Sequence, residues 1–357
     1  MKNFWKKLKK PIFVLAPMAD VTDYAFRQII AKYGKPDVFW TEFVSADGLA
    51  HPQAQKKLLI DLMYSKNEHP IVAQIFGSKP ENIRTAAALC QKLGFDGIDI
   101  NMGCPDKSIE KQNSGAAMIK NPKLAFEIIK AAKEGAPKLP ISVKTRIGYN
   151  KNEIETWIRD ILKQDVAVLT VHLRTRKEMS DVPAHWDLMK RVVEIRDELK
   201  KASPVGQRPM DTLILGNGDV TSLEDAKQKV KESGCDGAML GRAIFGNPWL
   251  FAKKKKVFEK RLGSRDGDGQ RKFSAENFSA FREKLSCSPQ IKLKVLVEHT
   301  KLFEKKLGKH KNFAVMKKHY KAYVNGFEGA KELRIKLMEA ENATQVKNIV
   351  NDFLKKI

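Results

Sequence analysis

The chain carries the stretch Asp99-Ile100-Asn101-Met102-Gly103-Cys104-Pro105. Its apolar positions, Ile98 and Ile100, are typical of a buried strand, and the residues from Asn101 onward are typical of a strand end. A thiol at the carboxyl end of a strand can face a ligand, although a free cysteine is more often a small buried hydrophobic residue. Because thiol reactivity depends on the surrounding groups, the neighbouring strands decide between these two interpretations.

Seven further β-rich runs accompany this one and alternate with amphipathic helical segments. The eight runs are Ile12–Met18, Val38–Phe43, Ile71–Phe76, Gly97–Met102, Ile141–Arg146, Val168–Leu173, Leu213–Leu215 and Gly237–Leu240. Eight strands with intervening helices over about 240 residues predict an α/β fold, a (β/α)8 TIM barrel. An open doubly wound sheet is the alternative, but it favours fewer strands and a glycine-rich first turn.

The sequence changes character after Trp249. A lysine run at 253–256 is followed by a glycine-rich stretch at 263–270, which is typical of a flexible linker. From there the pattern is helical almost to the end, which predicts a small all-α bundle. The predicted organisation is a basic solvated tail at 1–10, a barrel domain at 11–255, a linker at 256–275 and a basic helical domain at 276–357.

Charge is distributed unevenly along the chain. The formal net charge is +24, and residues 251–357 hold 27 Lys and Arg against 12 Asp and Glu. Residues 11–250 are nearly balanced, at +4. A basic carboxyl-terminal part joined to a balanced body predicts a polyanionic partner, most simply a nucleic acid. A solvated lysine-rich surface is the alternative.

Cysteine usage and hydropathy indicate the cellular setting. The four cysteines have no CxxC pair and no Cys/His metal spacing, which predicts free thiols in a reducing cytoplasm and no bound metal. The apolar runs are far shorter than a bilayer span, so no membrane association is expected. The lysine-rich amino terminus has no apolar core of a secretory signal. A monomer is expected.

Candidate site residues, many of them polar, lie at the predicted carboxyl ends of the strands, where barrels of this type build their sites. In strand order they are Pro17, Met18 and Ala19; Gln74; Asn101 and Cys104; Lys144 and Arg146; His172, Arg174 and Thr175; Asn217, Gly218 and Asp219; and Gly241 and Arg242. Any one of these residues, taken alone, more often has a structural role than a functional one. Polar groups from so many strands at one end favour a binding site.

The chemistry of this set indicates a flavin. Lys144, His172 and Gln74 can donate hydrogen bonds to an electron-rich planar ring and stabilise its anionic reduced form. The glycines near Asn217 and Arg242 lie on the last two strands, where barrels bind phosphate. A ring plus one phosphate predicts flavin mononucleotide (FMN), although a phosphorylated sugar would use the same corner.

With these residues in place, the chain resembles the tRNA-dihydrouridine synthases, an FMN-dependent family. The matching motifs, in family order, are Ala16-Pro17-Met18-Ala19, Asn101-Met102-Gly103-Cys104-Pro105, Val143-Lys144-Thr145-Arg146-Ile147-Gly148, Val171-His172-Leu173-Arg174-Thr175-Arg176, Gly216-Asn217-Gly218-Asp219 and Gly241-Arg242 through Gly246-Asn247-Pro248-Trp249. The run from Lys318-His319 to Leu333-Arg334 resembles the helical domain of the bacterial branch. Two features depart from the pattern: Leu173 replaces a small residue, and 251–275 is longer and more basic than usual.

The resemblance implies an electron path from NADPH through FMN to tRNA. Hydride would reach C6 of a uracil, and Cys104 would give a proton to C5. The cofactor would lie against Pro17, Met18, Ala19, Gln74, Lys144, His172, Asn217, Gly218, Asp219, Gly241 and Arg242. The substrate would contact Asn101, Arg146, Arg174 and Thr175. An FMN-dependent oxidoreductase of a free pyrimidine and an RNA-binding module without catalysis are the competing hypotheses.

Overall fold

The structure is a computed structural model, and it describes residues 3–202, 211–252 and 288–356. The predicted linker at 256–275, the lysine run at 253–256 and the first part of the predicted helical domain, 276–287, lie outside the described residues. The chain divides into two units. The barrel unit comprises 1–19 and 37–242, and the helical unit comprises 20–36 and 243–357.

The barrel unit is built on a parallel sheet that closes on itself. Its strands are β1 (Ile12–Leu15), β2 (Phe39–Trp40), β3 (Val44–Ser45), β4 (Ile71–Phe76), β5 (Gly97–Met102), β6 (Ile141–Arg146), β7 (Val168–His172), β8 (Leu213–Asn217) and β9 (Gly237–Leu240). The order is β1-β9-β8-β7-β6-β5-β4-β2, β3 pairs with β4, and a bridge from Val14 to Val38 closes the ring. The predicted (β/α)8 barrel is therefore confirmed, but the predicted second strand, Val38–Phe43, is reduced to β2, and β3 begins just after its predicted end.

Helices join the strands of the barrel unit. Those of the described residues up to 252 are α1 (Tyr24–Tyr33), α2 (Ala46–Ala50), α3 (Pro52–Leu58), α4 (Pro80–Lys92), α5 (Lys107–Glu110), α6 (Pro122–Gly135), α7 (Arg159–Leu162), α8 (Met189–Lys201) and α9 (Leu223–Ser233). Ser222 accepts a hydrogen bond from the N–H of Asp225, and Asn121 accepts one from Leu124, so each side chain satisfies a free donor of the first turn. A π-helical turn, Ile154–Ile158, precedes α7.

The amino-terminal residues pack into the barrel core. Trp5 is only 2% exposed and joins a cluster that includes Val14, Trp40 and Met239, with Phe4 and Leu8 packed against it. The prediction of a solvated tail at 1–10 is therefore wrong for this part of the segment. The lysines were the reason for that prediction, but those that the structure describes remain exposed while the indole of Trp5 is buried, so the stabilisation from its burial does not cost their solvation.

The helical unit is assembled from two separate pieces of chain. Its carboxyl-terminal helices are α10 (Pro289–Leu307), α11 (Val315–Tyr323), α12 (Ala330–Glu339) and α13 (Ala343–Leu354). Helix α1 belongs to this unit, and its Phe26 ring stacks on His299 with ring centroids 5.1 Å apart. Helix α1 therefore lies in the helical unit, although its position in the sequence falls within the predicted barrel domain. No helix among the described residues is long and apolar enough to cross a membrane.

Candidate active site

The register of the strands brings most of the predicted site residues to one end of the barrel. Parallel pairing places Asn101 beside Lys144, Arg146 beside His172, and His172 beside Asn217. On the same interior face, Gln74 pairs with Asp99 one layer below. Because the carboxyl ends of parallel strands share one edge, the loops after these strands surround a common space.

Cys104 lies on a loop whose start is fixed by Asn101. The Asn101 side-chain oxygen accepts hydrogen bonds from the backbone N–H of Gly103 at 3.1 Å and of Cys104 at 2.9 Å. The thiol is partly buried, and this burial raises its pKa above the ordinary value for cysteine. A neutral thiol at physiological pH follows, and a neutral thiol can give up a proton.

Arg146 connects the loops around Cys104. Its Nε donates to the carbonyl oxygen of Gly103 at 2.8 Å, and its Nη1 donates to the carbonyl oxygens of Thr175 at 2.9 Å and Met179 at 3.1 Å. The side chain is buried, which lowers the pKa of the guanidinium to about 10. These bonds hold the mouth together, and contact between Arg146 and substrate stays a prediction.

Lys144 presents an ammonium group inside the barrel mouth. Burial and the neighbouring charge of Arg146 lower its pKa to about 8. A desolvated cation of this kind is costly unless it meets an electron-rich partner, so it suits the flavin ring predicted for this site.

His172 is neutral, and its proton can be placed. The Nη1 of Arg174 lies 3.2 Å from the imidazole Nε2, and a guanidinium can only donate, so Nε2 must be the acceptor and Nδ1 must carry the hydrogen. Burial, together with the charges of Lys144 and Arg146, lowers the pKa of His172 well below its ordinary value. Its Nδ1–H is therefore a hydrogen-bond donor at neutral pH.

Phosphate binding is predicted at the ends of β8 and β9, where the backbone packs closely. Gly218 has φ of +123°, and a Cβ there would lie 2.7 Å from Ala184 Cβ and 3.1 Å from His172 Cδ2. At Gly241 a Cβ would meet only Ala16 and Met18, at 3.6 and 3.8 Å, so the loop after β1 lies beside the end of β9. Backbone that approaches this closely without side chains suits a phosphate or a ring edge.

Asp219 holds two arginines at this corner. Its carboxylate accepts hydrogen bonds from Arg174 Nη2, from Arg242 Nη2 at 2.5 Å and from the N–H of Ala184 at 2.9 Å. The Arg174 hydrogen bond, followed by other interactions that include the charge of Arg242, holds the pKa of the carboxyl below its usual range. Asp219 therefore orients cations, and its direct contact with a cofactor stays a prediction.

The remaining predicted residues differ in how free their polar groups are. The hydroxyl and the backbone N–H of Thr175 both donate to Glu178 Oε2, at 3.0 and 2.7 Å, which shapes the loop after β7. The side chain of Asn217 donates to the carbonyl oxygen of Met239 at 2.8 Å. Pro17 and Met18 are half-buried, and Ala19 is exposed. Their substrate or cofactor contacts stay predictions.

Sequence reasoning assigned no role to Asp99, Gly115 or Trp186, which also shape the site. Gly115 has φ of +62°, and a Cβ there would lie 2.6 Å from the carbonyl oxygen of Cys104. Trp186 Nε1 donates to the carbonyl oxygen of Gly218 at 2.7 Å. Asp99 shares the strand face of Asn101 two residues on, and this alternation was the available signal. Nothing in the sequence marks Gly115 or Trp186.

The fold and the site together define a (β/α)8-barrel enzyme with the Cys104 thiol, the Lys144 ammonium and a neutral His172 at the carboxyl ends of its strands. The sequence profile of the dihydrouridine synthase family (Dus) matches residues 14–357. The chain belongs to this family, whose members are FMN-dependent oxidoreductases of tRNA.

Two relatives show the extent of the similarity. The probable tRNA-dihydrouridine synthase of Staphylococcus aureus strain Mu50 is 36% identical over 354 residues, covering 99% of this chain and 96% of that protein. The probable tRNA-dihydrouridine synthase 2 of Bacillus subtilis strain 168 is 38% identical over 356 residues, covering 99% and 98%. Among solved structures, morphinone reductase superposes with a TM-score of 0.47 at 13% identity, covering 76% of this chain and 90% of that one.

Proposed function

We propose that this protein reduces the C5–C6 double bond of uridine in tRNA to 5,6-dihydrouridine, with NADPH as the electron donor. The observation that carries the proposal is the thiol of Cys104, which burial keeps protonated on a loop fixed by Asn101 and Arg146. Saturating this double bond requires a hydride at one carbon and a proton at its neighbour. Bound FMN supplies the hydride for C6, and Cys104 supplies the proton for C5.

The residues around the mouth fit a flavin in separate ways. Lys144 and the Nδ1–H of His172 are donors that can stabilise negative charge on the reduced ring. At Gly241 the absence of a side chain leaves backbone accessible for the phosphate, whereas Gly218 lets Ala184 and His172 pack against the end of β8. Arg242, whose side chain is 67% exposed, can add charge to that corner.

The substrate base must leave its stack to reach Cys104, as in other enzymes that act on bases. Unpaired loops of RNA make this inexpensive, because their bases are already partly unstacked. The exposed lysines of the helical unit support binding to the RNA backbone; they include Lys301, Lys305, Lys306, Lys309, Lys321, Lys331, Lys336 and Lys347. We propose that the protein acts as a monomer in the cytoplasm, where tRNA and NADPH are found.

The test uses purified protein, FMN, NADPH and an unmodified tRNA transcript, with dihydrouridine as the measured product. Cys104→Ala should keep its yellow colour and its tRNA affinity but turn over at least about 100-fold more slowly. Cys90→Ala is the matched control, because Cys90 is a buried thiol in α4. Wild-type turnover by Cys104→Ala would remove Cys104 as the acid. Reduction of free uracil or orotate, with none of tRNA, would favour the free-pyrimidine oxidoreductase instead.

A further inference from the structure

A carboxylate lies beneath the site, in a place that the proposed reaction does not use. Asp99 is fully buried in β5, and both of its oxygens are engaged. Oδ1 accepts from the hydroxyl of Ser142 at 2.5 Å, and Oδ2 accepts from the side-chain amide of Gln74 at 2.7 Å. Burying a carboxylate is expensive, and an apolar residue of similar size is often at least as stable. Packing alone therefore does not explain why a carboxylate occupies this position.

The hydrogen bonds continue from Asp99 to the backbone of Cys104. The amide of Gln74 donates to Asp99, and its Oε1 accepts from Asn101 Nδ2 at 3.1 Å. Asn101 Oδ1 then accepts from the backbone N–H of Cys104 at 2.9 Å. We call these three side chains, Asp99, Gln74 and Asn101, the amide chain.

The direction of every bond in the amide chain is determined. A backbone N–H can only donate, so the oxygen of Asn101 must face Cys104 and its nitrogen must face Gln74. The oxygen of Gln74 is then committed to Asn101, and its nitrogen must find an acceptor. An ionised carboxylate can only accept, so Asp99 ends the chain in the one orientation that suits Cys104.

The strand register explains why these groups meet. Asp99 pairs with Gln74 on one side and with Ser142 on the other, while Asn101 and Lys144 pair in the layer nearer the mouth. Burial raises the pKa of Asp99 to about 6, and the hydrogen bonds of Ser142 and Gln74 oppose that rise. The carboxylate is thus ionised at neutral pH, as the chain requires.

We propose that Asp99 is a positioning residue for uridine reduction, which fixes the loop that carries Cys104 through the amides of Gln74 and Asn101. This inference rests on the proposed function. The acceptor at position 99 determines the orientation of both side-chain amides, those of Gln74 and Asn101. Loss of that acceptor leaves the nitrogen of Gln74 unpaired and allows either amide to turn over, which releases the N–H of Cys104.

Ser142 provides a control that separates this role from general stability. A carboxylate presents an oxygen to Gln74 whether or not Ser142 is there. In Asp99→Asn, however, the hydroxyl of Ser142 can accept from the new amide nitrogen and donate to the carbonyl oxygen of Ile98, which lies 3.2 Å away. Ser142 then keeps the oxygen of Asn directed at Gln74. Removing Ser142 should matter only when position 99 is an amide.

The experiment measures kcat and KM for tRNA with FMN-loaded protein. We expect Asp99→Leu to lower kcat at least about tenfold with little change in KM, since a hydrogen bond to a charged group has this magnitude. Ser142→Ala should keep kcat within about twofold, and Asp99→Asn should lose less than Asp99→Leu. The double variant Asp99→Asn/Ser142→Ala should fall to the level of Asp99→Leu.

A second readout does not depend on turnover. The rate at which iodoacetamide alkylates Cys104, followed by peptide mass spectrometry, should rise in Asp99→Leu and in the double variant, because the loop is released. Wild-type kcat and alkylation in folded Asp99→Leu would overturn the proposal, as would additive effects in the Ser142 series. If Asp99→Leu fails to fold, the two Asn variants still decide. A different outcome separates the two proposals. If the wild-type protein does not reduce tRNA but the variants still show altered alkylation of Cys104, the proposed function is rejected and the positioning role of Asp99 is retained.

Discussion

The guanidinium of Arg146, on β6, donates Nε to the carbonyl oxygen of Gly103 at 2.8 Å, one residue before Cys104 on the neighbouring strand's loop. The same side chain donates Nη1 to two carbonyl oxygens of the loop after β7. One buried cation therefore holds two loops of the barrel mouth in a fixed relation. The thiol is positioned by its neighbours on both sides, because Asn101 holds the N–H of Cys104 as well.

Replacement of Arg146 by lysine should weaken this arrangement while keeping the charge. A lysine ammonium cannot reproduce the planar fork that reaches three carbonyl oxygens. We expect Arg146→Lys to lower the free energy of unfolding by about 2 kcal/mol and to slow tRNA reduction. Urea denaturation and turnover check this. Arg191→Lys is the control, because its ion pairs with Glu155 and Glu198 are exposed and should contribute little to stability.

Gly115 and Gly234 form a matched pair for a test of the loop that carries Cys104. Both have positive φ, +62° and +70°, but only at Gly115 would a Cβ meet the carbonyl oxygen of Cys104, at 2.6 Å; around Gly234 the space is open. Gly234→Ala should cost about 1 kcal/mol of backbone strain with normal turnover. Gly115→Ala should cost more and also slow reduction. Equal losses of stability and turnover in both would contradict the importance of the contact.

The buried ammonium of Lys144 should make stability depend on pH. Burial and Arg146 lower its pKa to about 8, while Asp99 opposes them; an unfolded lysine titrates near about 10.4. Between these values the unfolded chain binds more protons, so the free energy of unfolding rises with pH. FMN-free Lys144→Met should therefore be more stable than wild type near neutral pH. Its advantage should shrink by roughly 2–3 kcal/mol as the pH rises from about 8 to about 10.5. Parallel denaturation curves at all pH values would contradict this.

Binding of tRNA should weaken steeply with salt. Each phosphate neutralised by a lysine releases counterions, so the logarithm of the affinity falls linearly with the logarithm of the salt concentration. We expect at least about a tenfold loss of affinity between about 50 and 200 mM salt. Filter binding or fluorescence anisotropy with the Cys104→Ala protein checks this without turnover. An affinity insensitive to salt would argue against a role for the lysines of the helical unit.

Much of the barrel was predictable because its strands are short, apolar and clearly bounded. The predicted limits of β4, β5, β6 and β9 match the structure. Each of these runs ends at a polar residue or directly before a glycine. The split between β2 and β3 was not predictable. Each makes only two register pairs with β4, and tertiary pairing rather than local pattern decides where so short a strand ends.

The positions of the predicted site residues near strand ends could be predicted from the sequence, whereas their hydrogen-bond partners could not. Residue type identified Arg146, Arg174 and Asp219 as polar groups at strand ends, but it could not show that they bind one another or backbone carbonyls. Those pairings depend on loop geometry between strands far apart in the sequence. Trp5 was misjudged for a related reason, since the lysines around it are local and its core contacts are not.

Helix α1 has a consequence for how the molecule is made. Its Phe26 ring packs on His299 inside the helical unit, yet the helix that carries His299, α10, begins at Pro289. A ribosome therefore releases Phe26 long before His299 has been synthesised. During that interval the Phe26 ring of the nascent chain has no His299 ring to stack on. A protein without the carboxyl-terminal helices would lack that partner permanently.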